Sequence, residues 1–533
     1  MKEKKYTLYG IGVVLISLIG ISLAYFATQI VGKEKDISVN TKDLRIIFNN
    51  GDAITGENVV AEDNWSMTKT FSVENKSNST YKYNIVIKDL INTFKTTGYL
   101  QYKITSTDGG YNMTSFEDVP KRSTVTDTVL AYSVSIAEGV TQNYTITIQY
   151  PNDENIDQSD DMGAELSGKL YISEGTEGPK LLAEAILRDN PTINERTDFS
   201  VTNVANTTGT IYQTNKTEDG SDVYYYSGNT SKNWVKFAGF YWRIIRTNED
   251  KSVRLLYAGT THDTTTGYIE TSVYNSTNND PMYVGYMYGT SGSLANNRTN
   301  TNDSAIKTVI DAWYKNNLLA NYDKYISKTA IYCNDRSTQN NSYSTSSRFS
   351  YGASTRLDTN KTPTYKCGGD GNGGLFESTQ AIADKFSAST TGGGNGKLTY
   401  PIALMTADEI AFAGGLKTIS LNSPYAWYYT NSQGKSITGG KPWWSLSPVG
   451  WYGSGAFVWY VYGSDIPGRL DEYGYVQGDF GVRPSISLNS CVKVTGIGTP
   501  DDPYDVDYEN SCKWCEISVK NINKSLLHIN YIV

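Results

Sequence analysis

Aromatic and polar side chains crowd one stretch of this chain, GKPWWSLSPVGWYGSGAFVWYVYGSDIPGRL, Gly440 to Leu470. No charge falls between Lys441 and Asp465. Trp and Tyr pair a large apolar body with a polar tip, which suits them to packing and to recognition alike. In a strand, neighbouring side chains face opposite ways. Alternation therefore puts one of Trp443 and Trp444 in the core, together with Phe457 and Trp459. It leaves Trp451, Tyr452, Tyr460, Tyr462, Asp465, Arg469, Tyr473, Tyr475 and Asp479 as a candidate ligand-binding face, with Asp471 and Gln477 beside them. Aromatic anchors among adaptable polar groups are the chemistry of a paratope. A catalytic alternative needs Asp465, Asp471 and Asp479 converging in one deep pocket.

Other catalytic chemistry has little to work with. The chain holds two histidines, His262 and His528, and His262 lies in a polar loop, GTTHDTTTG. There is no G-x-S-x-G elbow and no H-E-x-x-H. Gly392–Leu398 and Asn431–Ser436 each miss part of the glycine frame with which a phosphate loop aims its N–H groups. Asp153, Glu154, Asp157, Asp160 and Asp161 crowd one loop but do not fit an EF-hand, and a solvated acidic turn is the simpler expectation. No metal and no cofactor is expected. Of five cysteines, Cys333 and Cys367 bracket a flexible excursion and Cys491 can pair with Cys512 or Cys515.

These residues need elements to hold them and an address to work in. Lys2, Lys4 and Lys5 precede an uncharged run, Tyr6 to Gly32, whose centre is long enough to cross a bilayer as a helix. Residues 1–35 are therefore expected to anchor the chain with its N-terminus inside, or to be a cleaved export signal. The first reading gives a membrane protein with extracellular domains, the second a secreted or wall-associated one. The net charge of −8 gives no basic footprint for nucleic acid. Residues 36–173 carry about seven alternating segments such as YKYNIVIKDL and NYTITIQY, the pattern of a β-sandwich. A Gly/Pro linker, 174–179, precedes an α+β domain at 180–508. Its expected helices begin at Lys180, at Ser304 and at the capping box Thr406-Ala-Asp-Glu409. The tail, 509–533, has no assignment.

The segments TKTFSVENKSNSTYKYNIVIKDL, SIAEGVTQNYTITIQY and GAELSGKLYI, with the leader IGISLAYFATQ, resemble the camelysin/TasA-type exported β-sandwich family. That resemblance implies a surface or matrix component, in some members fibre-forming. A histidine-ligated zinc protease is ruled out here, because no histidine precedes His262. Further along, NWVKFAGFYWRIIRTNEDKSVRLLYAG, LMTADEIAFAGG, PWWSLSP, GVRPSISLNS and GIGTPDDPYDV resemble a Firmicutes surface domain of unknown function. That family is similar to the C-type-lectin-like fold of formylglycine-generating enzymes and of retroelement-diversified proteins. In the diversified proteins the corresponding C-terminal region contacts ligand. The calcium-lectin motifs E-P-N, Q-P-D and W-N-D are absent, which speaks against calcium-mediated sugar binding. The resemblances imply an exported surface protein, multidomain and rich in β-structure, whose lectin-like head binds an extracellular protein or glycan. An exported hydrolase, a formylglycine-generating-like oxidase or a matrix subunit are the alternatives.

Overall fold

The computed structural model describes residues 66–153, 155–175, 178–202, 209–338, 342–367, 384–389 and 394–512, and the backbone of four strands before residue 60. The apolar run before Phe26 and the tail after Cys512 lie outside the described residues, and the expected anchor with them. No described helix is long and apolar enough to cross a membrane. The chain divides into two compact units, Met1–Gly178 and Pro179–Val533, and is mostly β.

Alternation builds the first unit. In Glu165–Glu174 every second side chain from Leu166 to Ile172 is buried. Two sheets, of five and six strands, enclose a core that includes Ile85, Ile104, Ile146, Ile148 and Leu170. The five-stranded sheet takes in Phe26–Ile30, paired parallel to Glu165–Glu174, so strand structure reaches back before residue 36. The acidic turn is less solvated than expected. Asp161 is fully buried and accepts from the N–H groups of Lys95 and Thr96 and from the Tyr150 hydroxyl at 2.8 Å. Burial would raise its carboxyl, but these hydrogen bonds hold it below its ordinary value. It staples two loops together. No group of residues suited to a metal is found among those described.

The second unit centres on two sheets. In the larger, Phe240–Thr247, Val253–Gly259, Pro484–Leu488 and Ile402–Leu404 lie side by side. The other joins Trp443–Trp451, Ala456–Val461 and Leu470–Tyr475 as an antiparallel meander. Helix Ala305–Asn317 starts where Ser304 accepts from the Lys307 N–H, and it buries Ile306, Ile310 and Tyr314. Helix Ala407–Phe412 has the Thr406/Glu409 capping box and stops where Gly414 turns left-handed, φ 113°. Disulfides join Cys333 to Cys367 and Cys491 to Cys512.

Candidate functional site

The meander is covered on both faces, and that rearranges the expected site. All nine residues of Trp443–Trp451 are buried. Trp443 packs against Tyr428 and under Arg483, while Trp444 donates to the Ser272 carbonyl at 2.8 Å and stacks on Phe480. Both tryptophans are therefore core. Trp451 and Tyr460, expected on the ligand face, are 2% and 5% exposed. Alternation sorts side chains into an inner and an outer set only where one face of a strand meets water, and Trp443–Trp451 meets it on neither. Phe457, expected in the core, is instead half-buried and faces the surface tyrosines.

Exposure is set by the ends of the strands. Tyr473 and Tyr475 are 59% and 37% exposed. The Phe457 ring lies 5.2 Å from Tyr475 and 4.7 Å from Tyr452, and Tyr452 lies 6.4 Å from Tyr473. The Arg348 guanidinium sits 4.0 Å above the Tyr452 ring. Burial pushes the Tyr452 hydroxyl up to about 12. A second group forms where Arg469 lies 4.5 Å over half-buried Tyr462, beside Tyr460. Arg469 also pairs with buried Asp471 at 2.6 Å. Asp465 and Asp479 are exposed and apart from these groups; Asp479 lines a shallow cleft with Lys441 and Phe480 that includes neither Asp465 nor Asp471. The three aspartates do not form one pocket.

His262 is half-buried, edge-on to Tyr241, with Nδ1 2.8 Å from the Ser432 hydroxyl. Ser432 also donates its N–H to the His262 carbonyl, so the pair ties two loops together.

Arginines in apolar strands make up the feature that sequence reasoning passed over. Arg243, in FYWRIIRT, is stacked 4.0 Å over Trp234 and donates to Asn233, Thr230 and Thr430. Arg483 donates to the carbonyls of Tyr257 and Tyr428, and burial pushes it down to about 9. These two brace the core. Arg246 and Arg254, by contrast, border a cavity of about 300 Å³ together with Arg356, Cys333, Tyr365, Asp335 and the capping-box acids Asp408 and Glu409. Glu409 meets Arg246 at 3.3 Å and Arg254 at 3.4 Å while its other oxygen accepts the Thr406 N–H. Arg356 pairs with Asp335 and, at 2.8 Å, with Asp408. Burial alone would lower the Arg356 guanidinium; Asp408 and Asp335 more than offset it and raise it. The signal was in the sequence: ionisable residues set inside apolar runs, as in LMTADEIAF and SVRLLYAG, are the ones that must find buried partners.

No protein-family model matches this chain, and no curated protein matches it. The functional reading therefore rests on the resemblances set out above and on this geometry.

Proposed function

We propose that this is an exported bacterial cell-surface protein whose second unit, a C-type-lectin-like head, binds an extracellular protein or glycan. A camelysin/TasA-like sandwich accompanies it, and the N-terminal apolar run serves as anchor or export signal. The observation that carries the binding reading is the exposed tyrosine cluster. Tyr473 and Tyr475 are large aromatic side chains left in solvent, packed against Phe457 and Tyr452 with Arg348 above. A preformed aromatic group on a rigid sheet loses little side-chain entropy on binding.

Protein and glycan arrays probed with the purified protein test this reading. The double substitution Tyr473→Ala and Tyr475→Ala is expected to remove any hit while lowering the melting temperature far less than a core deletion such as Trp451→Ala. A hit that survives both substitutions sinks the assignment. Protease shaving of intact cells, which should release peptides from 66–512, tests the address separately.

A further inference from the structure

We propose that the cavity bordered by Arg246, Arg254 and Glu409 is a binding site for a small zwitterion, its carboxylate on the two arginines and its ammonium toward the acids of the mouth. The proposal does not rest on the tyrosine cluster.

By its pairing the charge falls into two groups, or poles, of opposite excess. In the first, two buried guanidiniums share the Glu409 carboxylate. Beyond Glu409, Arg246 donates to the Thr247 carbonyl at 3.2 Å and has one further acidic neighbour, Glu249 at 3.8 Å, whose side chain is 24% exposed. In the second group the imbalance reverses, with Asp335 and Asp408 on the single Arg356. Around the same cavity Asp219 and Asp250 add negative charge beyond the one further cation, Lys366, while Glu218 is paired with Lys385 at 2.8 Å. A ligand carrying one charge alone would satisfy one pole and be repelled by the other.

The second observation is a set of unmet hydrogen bonds. Arg254 is 1% exposed, and its Nε has no partner. The Tyr365 hydroxyl and the Asn248 side-chain oxygen, on residues each 8% exposed, have none either. All three residues border this cavity. Buried polar atoms left without partners cost about 1–3 kcal/mol each, and three around one cavity are three handles for a bound molecule. The rings of Tyr365 and Tyr332 lie 4.4 and 4.3 Å beneath Arg246 and Arg254, which holds both guanidiniums in place. The volume is at the small end of ligand cavities, enough for an amino acid or a short peptide end.

Calorimetry on the full chain tests the proposal, with ω-amino acids from glycine to 6-aminohexanoate as probes and hexanoate and pentylamine as single-charge controls. At least one ω-amino acid is expected to bind at about 1 mM or tighter, and roughly tenfold more tightly than either control. Arg254→Met should abolish that binding. Because this buried change can also unfold the chain, Glu249→Gln provides the folded control. It frees Arg246 and removes an acid from the site, so it should tighten hexanoate and narrow the preference for the ω-amino acid over hexanoate. No binding by any probe at about 10 mM overturns the proposal. So does hexanoate binding as well as the best ω-amino acid, or a Glu249→Gln protein unchanged toward both.

Discussion

Asp384 shows what a single buried carboxylate does here. It accepts from Arg336 through Nε at 2.7 Å and Nη2 at 2.8 Å, lies 3.8 Å from Arg298, and is fully buried. Burial alone would raise its carboxyl, but Arg336 and Arg298 outweigh that and hold it at about 2. A carboxyl depressed in the folded state adds stability that is fully present above its unfolded value and is lost as pH falls through the folded one. The window is therefore about pH 4 down to 2, and the loss about 2 kcal/mol. Urea midpoints across that range should fall for the native chain. Asp384→Asn should start lower by about 3–5 kcal/mol, since it strands Arg336, and should lack this step. At the same scale, Trp451→Ala and Tyr460→Ala are core deletions and should cost about 3–5 kcal/mol. They are thus poor tests of binding, whereas the more exposed Tyr473 and Tyr475 cost less to change.

At the scale of elements, local signals in the sequence were informative and layering was not. The capping box at Thr406, the Ser304 cap and the strand alternation of Glu165–Glu174 are written in residues a few positions apart. What covers Trp443–Trp451 is written elsewhere, in Tyr428 against Trp443 and Tyr274 against Trp444 among others, and no local pattern announces it. The bulge between Val458 and Tyr460 also came from pairing with Leu470–Tyr475. Gly474 belongs to that pairing. A Cβ there would press on the Val458 carbonyl, with the Trp444 ring at 2.9 Å and Tyr460 at 3.0 Å. Gly474→Ala should lower the thermal midpoint and disturb Tyr473 and Tyr475 on either side, detectable as lost array binding together with lost stability. The Cys333–Cys367 bridge works similarly on the cavity. It closes a 34-residue separation, and Cys367 donates its N–H to Glu218. Loop-closure entropy puts its contribution at about 3–4 kcal/mol. Cys333→Ser with Cys367→Ser should lower the urea midpoint and weaken ω-amino acid binding, while leaving the sandwich unaffected.

Among the described residues each unit has its own main core. One draws its buried side chains from Phe71 to Ile172, the other from Leu182 to Val506. Cores that share no residue can melt separately. Calorimetry of the full chain should show two transitions, and a fragment spanning 179–512 should reproduce one of them. The unsatisfied indoles give these transitions an optical label. Trp443, Trp451 and Trp459 have buried N–H groups with no acceptor, whereas the first unit has a single tryptophan, Trp65, in its sequence. An indole that meets neither water nor a hydrogen-bond acceptor emits far to the blue and is shielded from a soluble quencher such as acrylamide. Blue-edge emission is thus an intrinsic gauge of the second unit's core, so that one wavelength reports when that half of the protein has let go.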